Sequence, residues 1–228
     1  MKRSEINAII KEMESLCKKH GFVLPPFANW TPKEWEEKGH EYDEIRDVML
    51  GWDITDFGFG DFNEWGFGLF TIRNGSQKRP DLYPKVYAEK ILYMRDGMKA
   101  PFHFHWFKTE DIINRGGGTL QIKMYEDDGD GGFSSKDVLI HSDGRTYSVK
   151  AGSLITLKPG ESITIMPHQY HEFHAVKGTG PILIGEVSRC NDDENDNRFY
   201  QELPRYPAIE EDEPPYRLLC NEYPKAAS

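Results

Sequence analysis

The chain has 228 residues, enough for one domain with extensions and for a core that needs no disulfides. Its formal net charge of −10 makes nucleic acid and anionic membrane surfaces poor partners, and it favours a neutral ligand over a phosphorylated one. Hydrophobic residues make up 38% of the chain, which excludes a disordered protein.

The N-terminal segment has the pattern of an amphipathic helix over residues 4–20. Ser4 can cap its start and Gly21 can end it. The apolar positions recur at helical spacing, and they are Ile6, Ile9, Ile10, Met13, Leu16 and Cys17. We expect this helix to pack on the domain.

A second helix is predicted to start at Thr31. Pro32 takes the first helical position, and Glu34 completes a capping box with the threonine. A third short helix is predicted within residues 41–50. Residues 1–50 therefore form a mainly helical N-terminal extension.

From about residue 65 the pattern changes to short strands divided by Gly, Pro, Asn and Asp turns, which is typical of an antiparallel sandwich or barrel. We predict a mainly β barrel over 65–190, followed by a tail over 191–228 that wraps it within a single domain. The predicted strands are Phe67–Arg73, Lys85–Met94, Thr119–Tyr125, Thr146–Val149, Ser153–Leu157, Ser162–Met166, His171–Val176 and Pro181–Ser188.

The cellular compartment is predicted from the cysteines and the N-terminus. Cys17, Cys190 and Cys220 are odd in number and far apart, which fits a reducing cytosol better than a disulfide framework. The N-terminus lacks the apolar core of a signal peptide, and no apolar run reaches the ~18 residues of a membrane span. We expect a soluble cytoplasmic protein.

Two histidines and a glutamate have the spacing of metal ligands. On a strand, His103 and His105 point to the same face, about 7 Å apart, and a bend after the strand returns the carboxylate of Glu110 to the same ion. Two imidazoles and a carboxylate suit Mn²⁺, Fe²⁺, Co²⁺ or Zn²⁺. The absence of thiolates argues against a structural zinc cage.

A fourth ligand is expected from the histidine-rich segment over residues 167–174. His171 shares its strand parity with Ile163, Ile165 and Phe173, so it points inward if the apolar face lines the barrel. His168 and His174 then face outward or lie at the rim. Pro167 can disturb this register.

Two charged residues are candidates for catalysis near the ion. Lys108 lies between the ligands in sequence, where it can donate to a substrate oxygen; the alternative is a surface lysine in a loop. Glu186 lies in an apolar strand, where burial is expected to raise its pKa toward that of a general base. The alternative for Glu186 is an outward-facing carboxylate.

The tail after that strand is rich in Asn and Asp. Asp193, Asp196 and Arg198 are candidates for binding several hydroxyl groups, although such stretches are also common in solvated loops. Four aromatic residues can supply the apolar walls of a sugar site or belong to the core, and they are Trp52, Trp65, Trp106 and Phe107.

Two motifs resemble those of the cupin superfamily. The segment Gly97-x5-His103-x-His105-x4-Glu110-x6-Gly117 resembles the first cupin motif at every position. The segment Gly160-x6-Pro167-x3-His171 resembles the second, with Gln169 and Ala175 as departures. The resemblance implies a double-stranded β-helix, or jelly-roll barrel, with His103, His105, Glu110 and His171 as ligands.

Most of the chain also resembles the D-lyxose isomerase family, most strongly in Ala100-Pro-Phe-His-Phe-His-Trp-Phe-Lys108-Thr-Glu110 and in Glu186-Val-Ser with Asn191-Asp-Asp and Asp196-Asn-Arg198-Phe. The resemblance implies a homodimer, Mn²⁺ as preferred metal, and interconversion of D-lyxose with D-xylulose and of D-mannose with D-fructose. It also implies that Lys108, Glu186 and Arg198 face the substrate.

The resulting hypothesis is isomerisation by proton transfer through an enediolate. Glu186 moves the carbon-bound proton, Lys108 assists at oxygen, and Arg198 with Asp193 or Asp196 holds distal hydroxyls. Three alternatives stay open: an Fe(II) cupin dioxygenase, a sugar-phosphate isomerase and a non-catalytic sugar-binding cupin. A phosphate substrate would need a basic cluster that the sequence does not clearly provide.

Overall fold

The computed structural model describes residues 1–192, 195–204 and 206–227, and most regular structure in these ranges is antiparallel β-sheet. The helices are α1 (Arg3–Lys19), α2 (Pro32–Trp35) and α3 (Asp43–Asp47). The strands are β1 (Gly51–Thr55), β2 (Phe67–Arg73), β3 (Tyr87–Met94), β4 (Lys99–His105), β5 (Glu110–Gly117), β6 (Leu120–Glu126), β7 (Val138–Ser142), β8 (Arg145–Val149), β9 (Leu154–Leu157), β10 (Ser162–Ile165), β11 (Gln169–Ala175), β12 (Ile182–Arg189) and β13 (Asn197–Phe199).

The strands form two sheets that share one apolar core. The larger has the order β1-β2-β3-β12-β5-β10-β7-β8, and the smaller has the order β13-β4-β11-β6-β9. Buried side chains of both sheets belong to a single cluster, including Ile91 of β3, Ile112 of β5, Ile122 of β6 and Phe173 of β11. This arrangement confirms the predicted mainly β jelly-roll with N-terminal helices.

Helix α1 packs on the larger sheet through the apolar stripe seen in the sequence. Ile6, Ile9, Ile10 and Met13 are fully buried, and each such side chain contributes roughly 1.5–3 kcal/mol through the hydrophobic effect. The predicted cap is wrong, because the N-cap is Lys2 and the Ser4 hydroxyl donates instead to the Asp212 carboxylate at 2.6 Å.

The short second helix has the predicted capping box. The Thr31 hydroxyl accepts from the backbone N–H of Glu34 at 3.2 Å, and the Glu34 carboxylate accepts from the backbone N–H of Thr31 at 2.7 Å. Strand β1, by contrast, begins at Gly51, ahead of the predicted start of the barrel at residue 65. Strand β13 lies in the predicted tail, beyond residue 190.

The C-terminal segment returns to the start of the chain. The guanidinium of Arg3 donates to Glu211 at 2.7 Å and also to Glu222, so it joins α1 to two points of this segment. The ring of Tyr223 stacks on Trp35 at 3.9 Å between centroids. The segment therefore covers the helical extension as well as the barrel.

None of the helices in the described ranges has the length and apolar character needed to cross a bilayer.

Candidate metal centre and active site

Three strands bring the four predicted metal ligands together. His103 and His105 lie on the same face of β4, and His171 of β11 is the antiparallel partner of His103. Glu110 is the first residue of β5, directly after the loop that leaves β4. The strand alternation that selects His171 by parity therefore holds despite Pro167.

The donor atoms of these residues lie within 4.8 Å of one another. Nε2 of His171 is 3.0 Å from Nε2 of His103 and 3.1 Å from Oε1 of Glu110. Nε2 of His105 is 3.4 Å from Oε2 of Glu110. Three imidazoles and one carboxylate thus converge on a single point inside the barrel.

The outer nitrogens of two imidazoles indicate what the inner nitrogens can bind. Nδ1 of His103 is 3.0 Å from the carbonyl oxygen of Pro101, and Nδ1 of His171 is 2.9 Å from that of Gln169. A carbonyl only accepts, so each Nδ1 donates, and Nε2 of each ring is the nitrogen that faces the cluster. With Nε2 unprotonated, the two facing lone pairs are 3.0 Å apart and could be bridged by a cation, which fits a metal centre.

Electrostatics favours the protonation state that metal binding needs at three of the four residues, His103, His105 and Glu110. Burial, reinforced by neighbouring imidazoles, holds the pKa of His103 well below its usual value. Burial and the Lys108 ammonium lower the pKa of His105. Burial alone would raise the pKa of Glu110, but Lys108 and His105 outweigh it and hold that pKa well below the usual range. A divalent transition-metal ion suits this donor set.

The other two histidines of the segment take no part in the cluster. His168 has a left-handed backbone (φ 66°), and its Nδ1 lies 3.5 Å from the carboxylate of Asp127. His174 interacts with the carboxylate of Glu172. Both therefore point away from the proposed ion, as strand parity predicts.

Lys108 and Glu186 form a buried ion pair directly beside the ligands. The Lys108 ammonium lies 2.9 Å from Oε1 of Glu186 and 2.8 Å from Oε2 of Glu110. Side-chain exposure is only 2% for Lys108 and 7% for Glu186, which excludes both the surface lysine and the outward-facing carboxylate. Both candidate catalytic residues thus line the cavity that His103, His105 and Glu110 also line, and this cavity is the candidate active site.

The expected rise in the pKa of Glu186 is wrong. Burial acts in that direction, but the ammonium groups of Lys108 and Lys90 outweigh it and lower the pKa. Burial opposes the charged form of Lys108 too, yet Glu110 and Glu186 raise the pKa of this ammonium. At neutral pH the pair is therefore a carboxylate, in the form that can accept a proton, and an ammonium, in the form that can donate a hydrogen bond.

Sequence analysis missed a second buried lysine. Lys90 of β3 pairs in register with Glu186 of β12, and its ammonium lies 3.4 Å from Oε1 of that carboxylate. The same ammonium donates to Oδ1 of Asn191 at 2.6 Å. The available signal was a lysine in the middle of a predicted strand, at Lys90 in Ala88-Glu-Lys-Ile-Leu.

The tail contributes different residues from those predicted. In β13, Asn197 pairs with His105 and Phe199 with His103, so these two share the cavity face. The intervening Arg198 pairs with Phe104, and its guanidinium lies 5.6 Å from the Phe104 ring and 5.7 Å from that of Trp106. Strand alternation therefore directs Arg198 away from the cavity.

Of the two predicted tail aspartates, Asp196 does not line the cavity. Oδ1 of Asp196 accepts from the backbone N–H of Phe107 at 2.7 Å, which is a loop contact, and Asp193 lies outside the described residues. By contrast, the buried Oδ1 of Asn197 has no hydrogen-bond partner among the described residues. Asn197 also lines the cavity.

The apolar wall of the cavity is also built from residues other than those predicted. Trp52 is buried in the core and donates to the carbonyl of Ala28, whereas Phe107 is 64% exposed. Trp65 and Trp106 do not line the cavity. The wall consists of Phe57, Phe67, Leu69, Leu92, Phe173 and Phe199.

Fold and site define a mainly β jelly-roll protein with a His/Glu cluster that could hold a metal ion, next to a buried carboxylate–ammonium pair. The sequence model of the family described as D-lyxose isomerase matches residues 1–223. Two relatives, each named D-lyxose/D-mannose isomerase, come from Escherichia coli O157:H7 and Serratia proteamaculans. Each is 46% identical over 224 residues, covering 98% of both chains. The chain belongs to the D-lyxose isomerase family and is a sugar isomerase.

Solved structures agree on the fold. L-Ribose isomerase from Cellulomonas parahominis, with L-psicose, aligns at a TM-score of 0.57 and 14% identity, covering 92% of this chain and 98% of that one. L-Ribose isomerase from Acinetobacter sp. DL28, with L-ribose, aligns at 0.58 and 15% identity with the same coverage. The family assignment decides for an isomerase and against a dioxygenase or a non-catalytic binding protein.

Proposed function

We propose that this protein interconverts D-lyxose with D-xylulose, and D-mannose with D-fructose, with a divalent cation held by His103, His105, Glu110 and His171. The observation that carries this proposal is the Glu186–Lys108 pair, a buried base and acid 2.9 Å apart beside the ligand cluster. The names of the two relatives at 46% identity support the choice of sugars.

The reaction needs one group that moves a carbon-bound proton and another that assists at oxygen. Glu186 is ionised, so it can take the proton from C2 of the aldose and return it to C1 of the enediolate. The Lys108 ammonium can donate to a substrate oxygen as negative charge develops there. A bound divalent cation supplies Lewis-acid polarisation of the carbonyl and stabilises that charge.

No arginine of the described ranges lines the cavity, which favours an uncharged sugar over a phosphorylated one. The ammonium groups of Lys90 and Lys108 offset the carboxylates of Glu110 and Glu186, so the bound cation would supply the remaining charge of the site. Arg198 faces the opposite side of its strand and leaves no guanidinium in the cavity wall. A phosphorylated sugar would lack the bidentate partner that phosphate recognition favours.

Substrate hydroxyls require polar partners away from the reacting carbons. Asn197 has a buried carbonyl oxygen without a hydrogen-bond partner among the described residues, and it faces the cavity. We assign it to a substrate hydroxyl in place of Arg198 and Asp196. The apolar wall, including Phe57 and Phe199, then contacts the carbon-bound faces of the sugar.

Three further properties belong to this proposal. Mn²⁺ is the proposed metal on the family resemblance, although the same donors accept Co²⁺, Fe²⁺ or Zn²⁺. The protein is proposed to act as a homodimer, also on the resemblance. A cytoplasmic location is proposed because Cys17 and Cys190 are buried free thiols, as expected in a reducing compartment.

The test is an assay with chelated and metal-loaded protein. Mn²⁺-loaded protein is expected to form ketose from D-lyxose and D-mannose at equal rates in air and under nitrogen, and the chelated protein is expected to be inactive. Absence of ketose with Mn²⁺, Co²⁺, Fe²⁺ or Zn²⁺ would contradict the proposal. A requirement for oxygen would instead support dioxygenase chemistry.

The route of the hydrogen is tested in deuterated water. Proton transfer through Glu186 predicts deuterium at C1 of the ketose, because a carboxylic acid exchanges with solvent during some turnovers. A hydride shift from C2 to C1 predicts no incorporation. Mass spectrometry of the product distinguishes the two routes.

A further inference from the structure

Lys90 is a buried charged residue that the proposed chemistry does not use. We propose that Lys90 is a positioning residue, which holds Glu186 through Oε1 while Lys108 turns toward the substrate. This inference rests on the proposed isomerase function and deepens it. It concerns the orientation and ionisation of the base, since Lys90 is not assigned to the reacting atoms.

The contacts of the carboxylate are concentrated on one oxygen. Oε1 of Glu186 lies 2.9 Å from the Lys108 ammonium and 3.4 Å from the Lys90 ammonium, and it accepts from the Ser188 hydroxyl at 3.1 Å. None of these three contacts uses Oε2. The carboxylate is therefore anchored by Oε1, and the proton to be moved is assigned to Oε2.

Lys90 itself has a second protein partner besides Glu186. Its ammonium donates to Oδ1 of Asn191 at 2.6 Å. The backbone of Asn191 is fixed by Asn74, which accepts from the Asn191 N–H at 2.9 Å and donates to the Asn191 carbonyl at 3.1 Å. Asn74 is 4% exposed, so this support lies inside the protein.

The need for a second ammonium follows from the position of the first. Lys108 already lies between Glu186 and Glu110, and donation to a substrate oxygen weakens its contact with the base. Without another cation the buried carboxylate would then lose its main partner, and burial would favour its protonated form. Lys90 keeps Glu186 ionised at that moment because it contacts Glu186 independently of Lys108 and is itself held by Asn191.

The first test compares Lys90→Met with Lys90→Arg in the metal-loaded, full-length enzyme. Methionine keeps an apolar stem of similar length and removes the charge. We expect kcat for D-lyxose to fall about 10- to 100-fold in Lys90→Met, with KM changed by less than about threefold. Lys90→Arg is expected to recover part of the lost kcat. Lys158→Met, at an exposed turn lysine, is the control and is expected to match wild type.

The second readout is the pH profile of kcat. The charged groups that act on Glu186 are Lys90, Lys108 and Glu110. Removal of the Lys90 charge raises the pKa of Glu186, so the acid limb is expected to move to higher pH in Lys90→Met. A role in folding alone would lower the melting temperature and metal retention without this movement.

The outcomes separate this inference from the proposed function. Wild-type protein without isomerase activity would overturn the proposed function. Active wild type with an equally active Lys90→Met variant would overturn only the role of Lys90. A variant with raised KM and unchanged kcat would also overturn it, because that result means substrate binding. Reduced kcat with a shifted acid limb, normal metal content and partial recovery in Lys90→Arg would support it.

Discussion

At the scale of single residues, the ionisation of Glu186 is set by its neighbours more than by its burial. A carboxylate alone in this strand would have a raised pKa, but two ammonium groups from other segments lower it. The residue is thus a base at neutral pH and becomes an acid only after taking a proton from the substrate. The proposed function of Glu186 therefore depends on Lys108 remaining an ammonium, which is the group that donates a hydrogen bond to the substrate oxygen.

Glu186→Gln tests the base directly. We expect kcat to fall by at least about 100-fold, because the amide keeps the shape but cannot take the proton. Metal content, measured by mass spectrometry after desalting, is expected to match wild type because Glu186 is not a ligand. Glu202→Gln, at an exposed position, is the control. Near-normal turnover in Glu186→Gln would remove the residue from the mechanism.

Asn197→Leu tests the assignment of the cavity oxygen. Loss of one hydrogen bond to a sugar hydroxyl is expected to lower kcat/KM roughly 5- to 30-fold, mostly through KM. Arg198→Leu is the matched neighbour, and its kinetics are expected to stay close to wild type because its guanidinium packs on Phe104 and Trp106. The reverse ranking of the two variants would restore the sequence-based assignment to Arg198.

The part of the site that depends on alternation within a single strand could be predicted from the sequence. His103, His105 and His171 follow from strand alternation, which depends only on neighbouring residues. The structure directs Arg198 away from the cavity, because the register of β13 is fixed by its pairing with β4 and no nearby sequence records that pairing. Lys90 was missed for the same reason, since its relation to Glu186 exists only across two paired strands.

At the scale of elements, helix α1 and the eight predicted strands correspond to observed elements because their apolar periodicity is local. Strands β5 and β7 were not predicted, although their burial alternates. Strand β1 gave no such signal, since all five of its residues are buried and the usual alternation is absent. Strand β13 has three residues and forms by pairing with β4. Elements defined by tertiary contacts therefore escape sequence patterns.

The attachment of α1 to the C-terminal segment predicts a stability effect without a catalytic one. Arg3→Met removes the ion pairs with Glu211 and Glu222 and is expected to lower the free energy of unfolding by roughly 1–3 kcal/mol, discounted because Glu211 is 57% exposed. The melting temperature should fall by roughly 2–10 °C, whereas kcat at 25 °C should not change. Lys18→Met, on the exposed side of α1, is the control for thermal melting.

At the scale of the whole molecule, the buried histidines of the His/Glu cluster link folding to pH. The barrel buries His103 and His105 with lowered pKa values, while in the unfolded chain both titrate near their usual value of about 6.5. Below that pH the unfolded state binds protons that the folded state does not. The stability contributed by the two neutral histidines is therefore present above about pH 6.5 and is lost as the pH falls below it.

This linkage gives a prediction for the metal-free protein. Between pH 6.5 and 5.5, the free energy of unfolding is expected to fall by up to about 1.4 kcal/mol per pH unit for each of the two histidines. Urea titrations at pH 7.5, 6.5 and 5.5 measure how the free energy of unfolding changes with pH. This range lies above the pH at which carboxylates usually titrate. The His105→Gln variant is expected to have a shallower slope, and an unchanged slope would contradict the role of this histidine.

Metal binding is expected to increase the same pH dependence, because protons and the cation compete for the imidazoles. Excess Mn²⁺ should raise the melting temperature at pH 7.5, in proportion to the logarithm of its concentration above Kd, and should raise it less at pH 5.5. His171→Ala should lose most of this increase at both values. An equal Mn²⁺-induced increase in melting temperature in His171→Ala and wild type would mean that the ion binds elsewhere. That result would contradict the proposed metal site.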